Sequence, residues 1–125
     1  MLTFNSTFVY LYMDQTFGQL LKAIRREKGI SQRDLADKVG IDFSYISKVE
    51  NDRMAPPSAD TIQKMCGVLE VSTEILLSKS GKLTGELSDA ITSSPSAIKF
   101  MNEIKDMRLT DHEWDRMITN LKKLR

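Results

Sequence analysis

GIDFSYISKVENDRMAPPS, residues 40–58, is the stretch that decides how this chain folds. It holds a turn glycine, one short amphipathic segment and an exit that no helix can cross. Gly40 and Ile41 make the turn, and Asp42 is placed to accept from the free N–H groups that open the next helix. Ile46 and Val49 both point inward, which predicts a short helix over residues 43–51. Pro56 and Pro57 lack N–H groups and restrict the residues before them, so the chain must turn again there.

Outward from this stretch the pattern stays helical. Phe17, Leu20, Leu21 and Ile24 repeat at i, i+3, i+4, i+7 and predict a first helix that ends at Lys28-Gly29. Ser31 begins S-Q-R-D, a cap-like sequence with an acidic residue three places on. Leu35, Ala36 and Val39 follow before Gly40, so the second helix is only about two turns long. Ser58 caps a fourth helix with Ile62, Met65, Cys66 and Leu69 on one side, and Ser72 caps a short fifth one carrying Ile75, Leu76 and Leu77. The expected fold class is all-α, with a compact five-helix domain over residues 13–80.

Residues 81–96 mix glycine, serine and proline with scattered apolar residues and read as a semi-flexible linker, with room for one helical turn at Glu86 to Ile91. Beyond it, residues 97–125 carry Ile98, Met101 and Ile104 on one helical face. Thr110 to Glu113 is a capping box for a last helix with Trp114, Met117, Ile118, Leu121 and Leu124. These two helices predict a C-terminal helical hairpin. Residues 1–12 carry no charge and read either as an added strand, from TFVYLY, or as an extension upstream of a natural start at Met13.

Composition narrows the function. Lys and Arg number 18 against 17 Asp and Glu, a net charge of +1 that gives no general case for polyanion binding. Any positive face must come from local clustering of Lys22, Arg25, Arg26, Lys28, Arg33, Lys38, Lys48 and Arg53. The single cysteine, Cys66, cannot form an internal bridge and falls on an apolar helix face, as core cysteines do. No apolar run reaches the roughly 18 residues of a membrane span, and the N-terminus lacks the features of a secretory signal, so a cytoplasmic protein with no membrane partner is expected. There is no nucleophile and base pair, no metal-ligand cluster and no phosphate-cradling glycine loop, which argues against an enzyme and against any cofactor. His112 sits alone in a capping box and is not expected to bind metal.

A short helix, a glycine turn and a second short helix form the sequence pattern of a helix-turn-helix, whose second helix enters the DNA major groove. Over residues 17–78, and most closely in SQRDLADKVGIDFSYISKVEND, the chain resembles the phage-repressor and Cro type, the XRE-like family of transcriptional regulators. By position, the resemblance implies that Phe43, Ser44 and Lys48 read bases. Chemically, serine can donate or accept, lysine suits guanine O6 and N7, and an aromatic ring can press on a thymine methyl. Gln32 matches the family residue that anchors a phosphate and braces the recognition helix. Tyr45 and Ser47 flank the readers, and Asn51 and Arg53 follow the helix, all four as expected DNA-backbone contacts. Arg25 and Glu50 match a partly buried ion pair that holds the recognition helix at its angle. Asp52 stands where the family usually has glycine, so the exit loop is expected to differ.

The resemblance implies a sequence-specific regulator of double-stranded DNA, most naturally a dimeric repressor on a palindromic operator. A homodimer doubles the contacts available to a near-neutral domain. Trp114, Met117, Ile118 and Leu121 are the expected interface, since a two-helix hairpin buries little alone. The alternative is an antitoxin-type protein that uses the C-terminal helices on a toxin or another regulatory protein partner and autoregulates its operon.

Overall fold

A computed structural model of the chain describes residues 14–125, and among these all regular structure is helical. The strand or upstream extension expected over residues 1–12, and the start at Met13, lie outside the described residues. The chain divides into two compact units between Thr84 and Gly85.

The first unit contains α1 (Phe17–Glu27), α2 (Gln32–Val39), α3 (Phe43–Glu50), α4 (Ala59–Leu69) and α5 (Glu74–Ser80). Four of these five helix starts have a side-chain cap. Thr16 and Gln19 form a reciprocal capping box on α1, and the side chains of Ser31, Asp42 and Ser58 accept from backbone N–H groups in the first turns of α2, α3 and α4. The α5 start differs from expectation. Its N-cap is Thr73, in the right-handed helical region and with no side-chain cap bond, so Ser72 does not cap it. Burial of Leu76 and Leu77 holds this seven-residue helix in place.

Glycine ends α2, with Gly40 at φ 83° in the left-handed region, where a side chain would be strained. The core is one cluster: Leu20, Leu21 and Ile24 from α1, Leu35 and Ala36 from α2, Ile46 and Val49 from α3, and Ile62, Met65, Cys66 and Leu69 from α4. Leu76 and Leu77 close it from α5. Burial pushes the Cys66 thiol up to about 11, with Glu74 adding to the effect.

The second unit holds α6 (Gly85–Ile91), α7 (Pro95–Ile104) and α8 (Asp111–Lys123), with α6 packed on α7. The stretch expected as linker is therefore more ordered than its composition suggests. Lys82 Nζ donates to the carbonyls of Pro56 (2.8 Å) and Pro57 (3.0 Å), which ties the residues after α5 to the first unit, and Thr84 is buried. Gly85 to Ile91 forms a complete helix rather than one turn. Pro95 opens α7 at its first position behind the Ser94 cap, where a missing N–H costs nothing. On α8 the Thr110 box is formed in both directions, and the Thr110 backbone N–H holds the Glu113 carboxyl below its usual range. No side chain of residues 85–125 is buried.

Candidate nucleic-acid interface

The interface is built around α3, an eight-residue helix with a sharply divided surface. Ile46, Val49 and Glu50 are buried, while Ser44 and Lys48, four residues apart, lie together on the exposed side. Tyr45 is half-buried and packs against the core cluster, and Ser47 is half-buried beside the exposed face. The inward residues fix the helix and leave its outer polar side free.

What sets its angle is a buried polar knot. Arg25 Nε donates to Glu50 Oε2 at 2.7 Å and Arg25 Nη2 to Glu50 Oε1 at 2.8 Å, a bidentate pair between α1 and the last residue of α3. Arg25 Nη1 also donates to the Ile30 carbonyl at 3.0 Å, and Gln32 Nε2 reaches Glu50 Oε1 at 2.9 Å. One carboxylate thus ties α1 and the start of α2 to the end of α3. Gln32 is a brace in this structure, its amide half-buried at the edge of the interface.

The exit of α3 closes in the backbone manner of a glycine cap, with an aspartate in the glycine's place. Asp52 adopts φ 60°, the left-handed conformation that glycine adopts without strain. The Asp52 and Arg53 N–H groups close the helix end on the carbonyls of Val49 and Lys48, at 3.1 and 2.8 Å. The expected change of loop is therefore a change of partner rather than of backbone: Thr16 Oγ1 donates to Asp52 Oδ1 at 2.8 Å and Oδ2 at 3.0 Å, and the same hydroxyl caps α1. Gly18 completes this junction. A Cβ there would fall on the Val49 carbonyl oxygen and 2.7 Å from Asp52 Oδ1, so α1 can approach the end of α3 only with glycine at this position.

The remaining predicted residues divide. Asn51 is exposed, but its Nδ2 donates to the Ser47 carbonyl at 2.9 Å and so serves the helix end. The Arg53 side chain is exposed beside it. Phe43, 37 % exposed, lies under the guanidinium of Arg33, whose carbon is 4.5 Å from the ring centroid. Phe43 and Arg33 line an open cleft together with Lys22, Arg25, Arg26, Ser31 and Gln32. No acidic side chain lines this cleft, so a near-neutral chain still presents a local positive face.

Trp114, Met117, Ile118 and Leu121 fall on one face of α8 in the second unit. Trp114, Ile118 and Leu121 are exposed and Met117 is half-buried. Among the described residues no group of His, Cys, Asp and Glu could hold a metal, and no helix is long and apolar enough to cross a membrane.

Sequence reasoning missed three features. The Thr16-x-x-Gln19 spacing was a readable capping-box signal. Gly18 and the Arg33–Phe43 stack gave no such signal, because each depends on how two helices approach.

The chain is also similar in sequence to known proteins. A family model described as helix-turn-helix matches residues 21–76. The HTH-type transcriptional regulator SinR of Bacillus subtilis (strain 168) is 37% identical over 93 residues, covering 66% of this chain and 84% of that protein. The immunity repressor protein of Bacillus phage phi105 is 32% identical over 98 residues, covering 77% of this chain and 67% of the repressor. A crystal structure of SinR, described as the master regulator for biofilm formation, in complex with DNA aligns with a TM-score of 0.47 at 40% identity, over 50% of this chain and 98% of that one.

Proposed function

Because this chain belongs to the helix-turn-helix family of transcriptional regulators, we propose that it is a dimeric repressor that sets α3 into the major groove of a palindromic operator. The observation that carries this reading is the divided surface of α3, whose inner side is locked by Ile46, Val49 and the Arg25–Glu50 pair while Ser44 and Lys48 face out. A groove roughly 12 Å wide admits one such helix, and its first turns and outer side are what reach base edges.

In this reading Phe43, Ser44 and Lys48 read bases. Ser47, Tyr45 and Arg53 meet sugar and phosphate from the rim, with Asn51 closing the helix end beside them. Gln32 offers the hydrogen of its amide not used on Glu50 to a phosphate while bracing α3. Lys22, Arg26 and Arg33 supply the positive charge that draws the backbone into the cleft. The activity is binding, with no chemical step, and it takes place in the cytoplasm. The α8 face of Trp114, Met117, Ile118 and Leu121 joins two chains, so that two copies of α3 meet half-sites about one helical turn apart.

Selection of random duplexes by the full chain, with its mass in solution measured alongside, tests the proposal. The expected result is a palindromic consensus with half-sites about 10 bp apart, bound by a dimer. A monomer that enriches no sequence refutes it.

A further inference from the structure

The stack of Arg33 on Phe43 joins two helices and is not needed to close the core. Phe43 is the first residue of α3 and remains 37 % exposed; Arg33 comes from α2. An exposed aromatic side chain at a helix start has several staggered positions open to it. A guanidinium over one ring face favours a single position by about two- to fivefold, the Boltzmann weight of an exposed cation–π contact. The plane of the guanidinium is spent on the ring, while N–H groups along its edges remain free for a phosphate oxygen.

We propose that Arg33 is a positioning residue for base recognition. It holds a backbone phosphate by its edge and the Phe43 ring by its face, and so fixes the ring against the C5-methyl group of one thymine. Preference at that base pair then depends on a residue that touches no base. Phosphate contacts ordinarily set register and base contacts set sequence, and here one side chain couples the two. The inference rests on α3 being the major-groove helix. Lysine replaces Arg33 poorly in this role, because an ammonium keeps the charge and can face a ring but has no plane to stack and no fork.

The test uses the duplex that the full wild-type chain enriches from a random library. Each thymine is replaced in turn by deoxyuridine, which removes only the C5-methyl group. Wild type, Phe43→Ala, Arg33→Ala and Arg33→Lys are titrated by fluorescence anisotropy at several salt concentrations, after circular dichroism has shown that all four are folded. In wild type, one thymine shows a loss of about fourfold, the worth of one buried methyl group. That loss disappears in Phe43→Ala and is reduced in both Arg33 variants. Arg33→Lys keeps the salt dependence, whereas Arg33→Ala lowers its slope by about 1. Methyl dependence in the Arg33 variants equal to that of wild type overturns the inference, as does the lack of any thymine whose dependence vanishes in Phe43→Ala. A wild-type chain that enriches no duplex overturns the reading of α3 itself, and the inference with it.

Discussion

Glu50 is the residue on which the orientation of α3 depends, because one buried carboxylate receives hydrogen bonds from Arg25 and Gln32. Removing it leaves Arg25 charged, buried and without its carboxylate, so Glu50→Ala should cost about 3–5 kcal/mol in chemical denaturation. Exchanging both partners, Arg25→Met with Glu50→Leu, should recover most of that loss, since no buried charge remains. Lys48 belongs to the opposite side of the same helix, and its removal should leave stability unchanged. Lys48→Ala should weaken specific binding by about 1–3 kcal/mol and relax the preference at one base pair, read from a binding profile over all single-base variants of the operator. Which α3 residues face inward was legible in the sequence from the positions of Ile46 and Val49. The Arg25–Glu50 pair came only through family resemblance, because 25 residues separate the two and no periodicity links them.

The junction of α1 with the end of α3 shows where helical pattern reading stops. Gly18 in the first turn of α1 looks like a site for improvement, since alanine in a helix gains about 1 kcal/mol over glycine. The Val49 carbonyl leaves no room for a Cβ there, so Gly18→Ala should instead cost about 2 kcal/mol or more in thermal unfolding. Asp52→Gly should change stability by less than about 1 kcal/mol, because relief of the left-handed conformation offsets loss of the exposed Thr16 bond. Thr16→Val loses the cap and that bond together and should cost about 1–2 kcal/mol. The starts of α2, α3, α4 and α8 were legible because a serine, threonine or aspartate sits immediately before the apolar repeat. Elsewhere the physical reasons differ: α5 is held by burial rather than by a cap at Ser72, and Pro95 begins α7 inside the stretch read as linker.

The molecule joins a well-packed unit to one in which no residue is fully buried. Residues 85–125 present Trp114, Ile118 and Leu121 to solvent, and this is the face that the proposed dimer would cover. Ile118→Glu should convert the dimer to a monomer in sedimentation and weaken operator binding by more than the loss of any single base contact. An unchanged dimer would place the interface elsewhere and leave this face for a different protein. The near-neutral charge left a positive face to local clustering, and the sequence named the cations without saying which of them gather. Lys22, Arg26 and Arg33 meet around one cleft because α1 packs against the helix-turn-helix. The most direct test of the central claim is a footprint of the intact protein on the DNA upstream of its own gene, repeated with Lys48→Ala. The account predicts protection of a palindrome by wild type and weakened protection of the same site by the variant; equal protection by both, or none by either, would contradict it.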